Sequence, residues 1–122
     1  MKTVYAKVSF EGIHRWPDAP DEVIYLRNPH RHIFNVKASV EVSQNNREIE
    51  FIMLGHALNT MFKDLAIASG DSNGVWNMGA VSCEDVAEMA IAYVRYKLGL
   101  SDETYVAVQV DEDGENGCVV TS

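Results

Sequence analysis

His30-Arg31-His32-Ile33-Phe34-Asn35-Val36-Lys37-Ala38-Ser39-Val40-Glu41-Val42 is the stretch whose reading decides the fold. Side chains on a strand alternate between two faces, so residues two apart point the same way. The even positions Phe34, Val36, Ala38, Val40 and Val42 are all apolar. The odd positions Arg31, Asn35, Lys37, Ser39 and Glu41 are polar, with Ile33 the exception. This alternation predicts a half-buried strand over about residues 31 to 42. Both histidines fall on its buried parity, where their imidazoles could share one metal ion.

Toward the N-terminus, Val4, Ala6, Val8 and Phe10 alternate with Thr3, Tyr5, Lys7 and Ser9, which predicts a first strand over residues 2 to 11. Gly12 and His14 continue its apolar parity. If the two strands are neighbours, His14 can reach the His30/His32 pair. Three neutral imidazoles that leave a fourth position open are the ligand set of a catalytic zinc site. Between the strands, Pro17, Pro20 and Pro29 with Asp18, Asp21 and Asn28 predict a long loop, with a short strand at Val23 to Leu26.

Toward the C-terminus, Ser43 to Asn46 reads as a turn, and Arg47 to Phe51 as a strand returning antiparallel. Leu54, Ala57, Leu58, Met61, Phe62 and Leu65 then recur at helical spacing and predict an amphipathic helix. Ser69 to Gly79 is rich in Gly, Ser, Asn and Asp and reads as a flexible connection. A second helix opens at Ser82, with Asp85 in the capping-box position, and stops at Gly99. Thr104 to Asp111 predicts a further strand, with Cys118 to Val120 pairing to it after an acidic turn. Helices segregated to one side of an antiparallel sheet define an α+β domain, expected to span residues 1 to 122 as one unit.

Composition narrows the function. A hydrophobic content of 47% in 122 residues is enough for a core without disulfides. No run approaches the roughly 18 apolar residues of a membrane span, so no membrane partner is expected. The opening residues alternate instead of forming a signal peptide, and Cys83 and Cys118 form no framework; both features predict a cytoplasmic protein. A net charge of -8 argues against nucleic acid as a partner, because backbone binding needs clustered cations.

Several short motifs occur in an order that resembles the 6-pyruvoyltetrahydropterin synthase and 6-carboxytetrahydropterin synthase family. Phe10-Glu11-Gly12-Ile13-His14 resembles the family's F-x-x-x-H, and His30-Arg31-His32 its H-G-H. Glu50 to Leu54 is similar to D-F-x-x-L, Ser82 to Ala87 to T-A-E-N-L-A, and Val108 to Glu112 to the closing V-x-V-x-E. The resemblance implies the tunnelling fold, a four-stranded antiparallel sheet with two helices packed on one face, assembled into trimers or hexamers with sites at subunit interfaces. It further implies Zn2+ on His14, His30 and His32, and a pterin or purine-like ligand anchored by Glu112. The activity implied is that of a lyase, carbon-oxygen or carbon-carbon, acting on a dihydroneopterin-type substrate.

Two family features are missing. Leu26 stands where a cysteine precedes the histidine pair, and a leucine cannot shuttle a proton. Lys63 to Ser69 replaces the segment that carries a relay histidine. The catalytic group is thus unassigned, with Cys83, His56 and Glu84 as secondary candidates and Glu22 behind them. Cys83 lies in the first turn of a capped helix, where the helix N-terminus can lower a thiol pKa; at the family's alanine position, it reads instead as a small packed residue away from the metal. His56 reads as a solvated helix-surface residue, and Arg31 as added bulk and charge beside the metal. The alternative to a lyase is a catalytically degenerate relative that binds a pterin, purine or nucleotide-like ligand without turnover.

Overall fold

The computed structural model describes residues 1–70 and 73–122. The alternating segments form the two longest strands, β1 (Lys2–His14) and β2 (His30–Val42). They pair antiparallel in unbroken register from Lys2↔Val42 to His14↔His30. The two helical stripes form α1 (Phe51–Ala68) and α2 (Cys83–Leu98), and β3 (Trp76–Gly79) lies between them. A hairpin of β4 (Val106–Glu112) and β5 (Asn116–Thr121) completes the sheet, whose spatial order is β3-β1-β2-β4-β5.

Both helices pack on the even face of the sheet, α1 against β1 and α2 against β4 and β5. Phe34, Val36, Val40, Leu54, Leu58, Val86, Val94, Val106, Val108 and Val110 are fully buried between the layers. Burying an aliphatic or aromatic side chain of this size contributes about 1.5–3 kcal/mol, so this layer is the main source of stability. The capping box at α2 is present in full: Ser82 Oγ accepts from Asp85 N, and Asp85 Oδ2 accepts from Ser82 N. Gly99 ends α2 in the left-handed conformation.

The structure corrects several expectations. The sheet has five strands and is mixed, because β3 adds to the edge of β1 in parallel, Gly12↔Trp76, before the register shifts between Ile13 and His14. The expected flexible connection over 69–79 therefore ends in a strand; its residues 71 and 72 lie outside the described part. Residues 47–50 form no strand, and Phe51 already begins α1. Glu50 is the N-cap, its carboxylate accepting from Ile52 N and Met53 N. Phe51, Ile52 and Met53 in the first turn of α1 face outward, each more than half exposed. Val23 to Leu26 lies within a 3₁₀ segment, Asp21–Arg27, which Pro20 precedes.

Gly12 is where β3 crosses closest to β1. A Cβ there would stand 2.5 Å from Met78 Sδ and 3.0 Å from the Phe34 ring, all of them buried groups. Gly55, inside α1, has only the Ala6 methyl nearby, at 3.7 Å. We therefore expect Gly12→Ala to destabilise the protein by about 1–3 kcal/mol through overpacking, and Gly55→Ala to stabilise it by about 0.5–1 kcal/mol through helix entropy. Urea denaturation of the two variants measures both; equal effects would contradict this packing.

Candidate metal centre and cavity

The sheet register assembles the site. His14 and His30 are Cα partners at the end of the β1–β2 ladder, and His32 is opposite Gly12, one pair further in on the same face. Phe34, next along that face, is opposite Glu112 at the end of β4. His14, His30, His32 and Glu112 thus share the helix-side face of the sheet. The Phe34 ring supports His14 and His32 from below, with centroids 5.1 and 5.9 Å away and ring planes nearly perpendicular.

Each imidazole is oriented by an acceptor at Nδ1. His14 Nδ1 donates to the Val81 carbonyl at 2.9 Å, His30 Nδ1 to the Asn28 carbonyl at 2.9 Å, and His32 Nδ1 to Asp113 Oδ2 at 2.6 Å. A neutral ring that gives its proton at Nδ1 keeps a lone pair at Nε2, which is the form a metal binds. The three rings place ligand nitrogens within 4.8 Å of one another. The donor set fits a borderline divalent cation: three imidazoles, each with a hydrogen-bond acceptor already at its Nδ1.

Asp113 belongs to this arrangement, although its acidic surroundings read as a solvated turn. It adopts a left-handed φ of 57°, which Asp tolerates better than most residues. That conformation turns its carboxylate back, so Oδ1 accepts from Ile33 N while Oδ2 holds His32. The His32 hydrogen bond, helped by the Ile33 amide, keeps the Asp113 carboxyl below the usual range. The Val81 carbonyl likewise carried no sequence signal, because β3 and the start of α2 bring it to His14.

A cavity of about 520 Å³ opens beside the histidines, its lining including Trp16, Leu26, His30, Cys83, Glu84 and Glu112. Cys83 is therefore at the site and not away from it. Its thiol donates to Glu112 Oε1 at 3.6 Å. Burial, reinforced by the Glu112 charge, pushes that thiol up to about 12, opposite to the lowering expected at a helix N-terminus. Glu84 is exposed on the cavity wall. His56 is exposed on α1 and does not line the cavity, and Glu22 lies in the exposed 3₁₀ segment outside the lining. Arg31 is not beside the imidazoles: odd parity sends it to the opposite sheet face, where its Nε donates to Glu11 Oε2 at 3.0 Å.

The same two-layer α+β architecture is found in solved tetrahydropterin synthases. The 6-pyruvoyl tetrahydropterin synthase of Plasmodium falciparum aligns over 98% of this chain and 98% of its own, with a TM-score of 0.64 and 13% identity. The Caenorhabditis elegans synthase aligns over 99% and 95%, with a TM-score of 0.62 and 16% identity. A Plasmodium vivax synthase carrying a glutamate-to-alanine change at a catalytic residue aligns over 100% and 99%, with a TM-score of 0.64 and 13% identity. No protein-family model matches the sequence, and neither does any curated protein. At these identities the likeness is one of fold, and the chain has a 6-pyruvoyl tetrahydropterin synthase-like fold.

The thiol chemistry is testable. At pH 8 a thiol ionising near 12 is thiolate in roughly one molecule in ten thousand, so Cys83 should resist iodoacetamide in native protein and react fully in urea. An unfolded thiol ionises first as pH rises, so the stability Cys83 contributes is complete below about pH 9 and is lost as pH climbs toward 12. Cys83→Ala should flatten the alkaline decline in the denaturation midpoint. Rapid native alkylation of Cys83 would contradict this environment.

Proposed function

We propose that this chain is a zinc-dependent lyase of the tetrahydropterin synthase type, acting on a dihydroneopterin-type substrate. The observation that carries the reading is the convergence of His14, His30 and His32, each with Nδ1 occupied, at the mouth of a cavity with Glu112 on its wall. In this reading the three imidazoles hold zinc, which as a Lewis acid would polarise a substrate oxygen. Glu112 accepts from adjacent N–H groups of a pterin or purine-like ring, a paired contact that selects for such heterocycles. The Leu26 and Trp16 side chains line the cavity with apolar surface suited to a flat ring.

The proton-transfer group is Glu84 on this view. A protonated Cys83 cannot serve as a base, and His56 lies outside the cavity. Glu84 is an exposed carboxylate on the cavity wall, and the Plasmodium vivax neighbour has a glutamate among its catalytic residues. The second reading is a catalytically degenerate relative that binds its ligand unchanged; Leu26 favours it, standing in the cavity wall with no titratable group.

The remaining expectations are part of the same proposal: one functional unit over residues 1–122, cytoplasmic, and assembled as a homo-oligomer. Among the described residues, β1 is paired on its outer side only at Gly12–His14, and β5 pairs only with β4. Those open backbone edges are suited to strand pairing with further copies. Among the described residues no helix is long and apolar enough to cross a membrane.

Protein purified without a histidine tag should contain about one zinc per chain. His30→Ala and His32→Ala should remove it while leaving the far-UV circular dichroism intact. Asp113→Asn should weaken zinc binding about 10- to 100-fold by freeing the His32 ring. Incubation with dihydroneopterin triphosphate then separates the two readings. A new pterin product, lost in Glu84→Gln, supports the lyase; an unchanged ligand that raises Tm with the logarithm of its concentration supports the binder. Protein that takes up no metal sinks both.

A further inference from the structure

We infer that Glu112 is a fourth, exchangeable ligand of the metal held by His14, His30 and His32, steered there by the Cys83 thiol. The inference rests on the metal reading above and adds to it that the resting site is closed by the protein's own carboxylate.

The first argument is one of hydrogen-bond bookkeeping. His14 and His32 each give a proton at Nδ1 to an acceptor, the Val81 carbonyl and the Asp113 carboxylate. A neutral imidazole has a single N–H, so each Nε2 then presents a lone pair. Glu112 faces both, its Oε1 3.4 Å from His14 Nε2 and its Oε2 3.0 Å from His32 Nε2. An ionised carboxylate only accepts. Two lone-pair-to-lone-pair contacts on one side chain are unfavourable unless something positive lies among them; a proton on each Nε2 would serve, and one metal cation would satisfy both together.

The second argument is metric. Zinc binds imidazole nitrogen and carboxylate oxygen at about 2.0–2.2 Å, so neighbouring ligand atoms of a tetrahedral site stand about 3.3–3.5 Å apart. Glu112 Oε1 stands 3.4 Å from His14 Nε2 and Oε2 3.0 Å from His32 Nε2, so the carboxylate faces these two nitrogens at about this separation.

The third argument concerns how the carboxylate is held. The Glu112 backbone is fixed by its pairing with Phe34 and by the start of the β4–β5 turn, but its side chain is 30% exposed. Its other side-chain contact in the site is the Cys83 thiol, a weak donor. The thiol biases Glu112 toward the histidines without locking it. A ring offering stronger N–H donors could draw the carboxylate away. Glu112 would then exchange between a bound metal and a bound ring, and the metal's Lewis acidity would be available to the ring once Glu112 had turned to it. Cys83 is here a positioning residue.

Cobalt(II) titration of the metal-free full chain tests this without turnover. Wild-type protein should give the intense visible bands of a four-coordinate site and respond weakly to azide. Glu112→Gln should raise the Kd for cobalt by about tenfold or more, and its spectrum should shift at lower azide concentrations. Glu112→Asp keeps the charge but withdraws the oxygens, and should respond to azide like Glu112→Gln; this separates loss of a ligand from loss of a charge. Cys83→Ala should move in the same direction by less. Circular dichroism confirms that each variant is folded. Wild-type cobalt affinity and azide response in both Glu112 variants would overturn the inference and leave the three-histidine reading intact. No cobalt binding by the wild type would overturn both.

Discussion

The structure depends on one ladder, the unslipped antiparallel pairing of β1 with β2. Because side chains alternate, a slip of one residue would turn every apolar side chain of one strand from the core to solvent. The same slip would turn the histidines away from one another. Burial of Phe10, Phe34, Val36, Ala38 and Val40 against the helices therefore does two things at once. It stabilises the sheet, and it places His14 opposite His30 at the ladder's open end. The core in effect holds the site in register, which gives preorganisation without a dedicated scaffold around the ligands.

Much of this was legible because it is periodic or local. The parity of Phe34 to Val42, the stripe Leu54 to Leu65, the Ser82–Asp85 cap and the Gly99 stop each state their structure within a few residues, and each formed. What was hidden depends on contacts distant in sequence. β3 is four residues long in a Gly- and Asn-rich segment and exists because β1 offers it an edge. The turn at Ser43 to Asn46 implied a returning strand over Arg47 to Phe51, but Glu50 folds its carboxylate onto the backbone of the next turn and caps α1 instead. Asp113 was masked by the other acids around it, since only its left-handed backbone distinguishes it. Cys83 is packed, as its alanine-like position suggested, and burial with a facing carboxylate outweighs the helix N-terminus; its place beside Glu112 depends on a contact distant in sequence.

The cavity is chemically mixed. Its lining combines the Glu84 and Glu112 carboxylates and the Cys83 thiol with the Leu26 and Trp16 side chains, and Arg15, Ser82 and Asn116 also belong to it.

The open face of the sheet has a meaning of its own. Among the described residues no helix covers the odd positions of β1 and β2, where Lys7 stands opposite Lys37, Ser9 donates to Asn35, and Asn35 donates to Asp111. Their substitution leaves the core volume untouched. Half of each long strand is thus free to drift while the other half is held by packing. That accounts for chains that share 12–16% of their residues and still superpose from end to end.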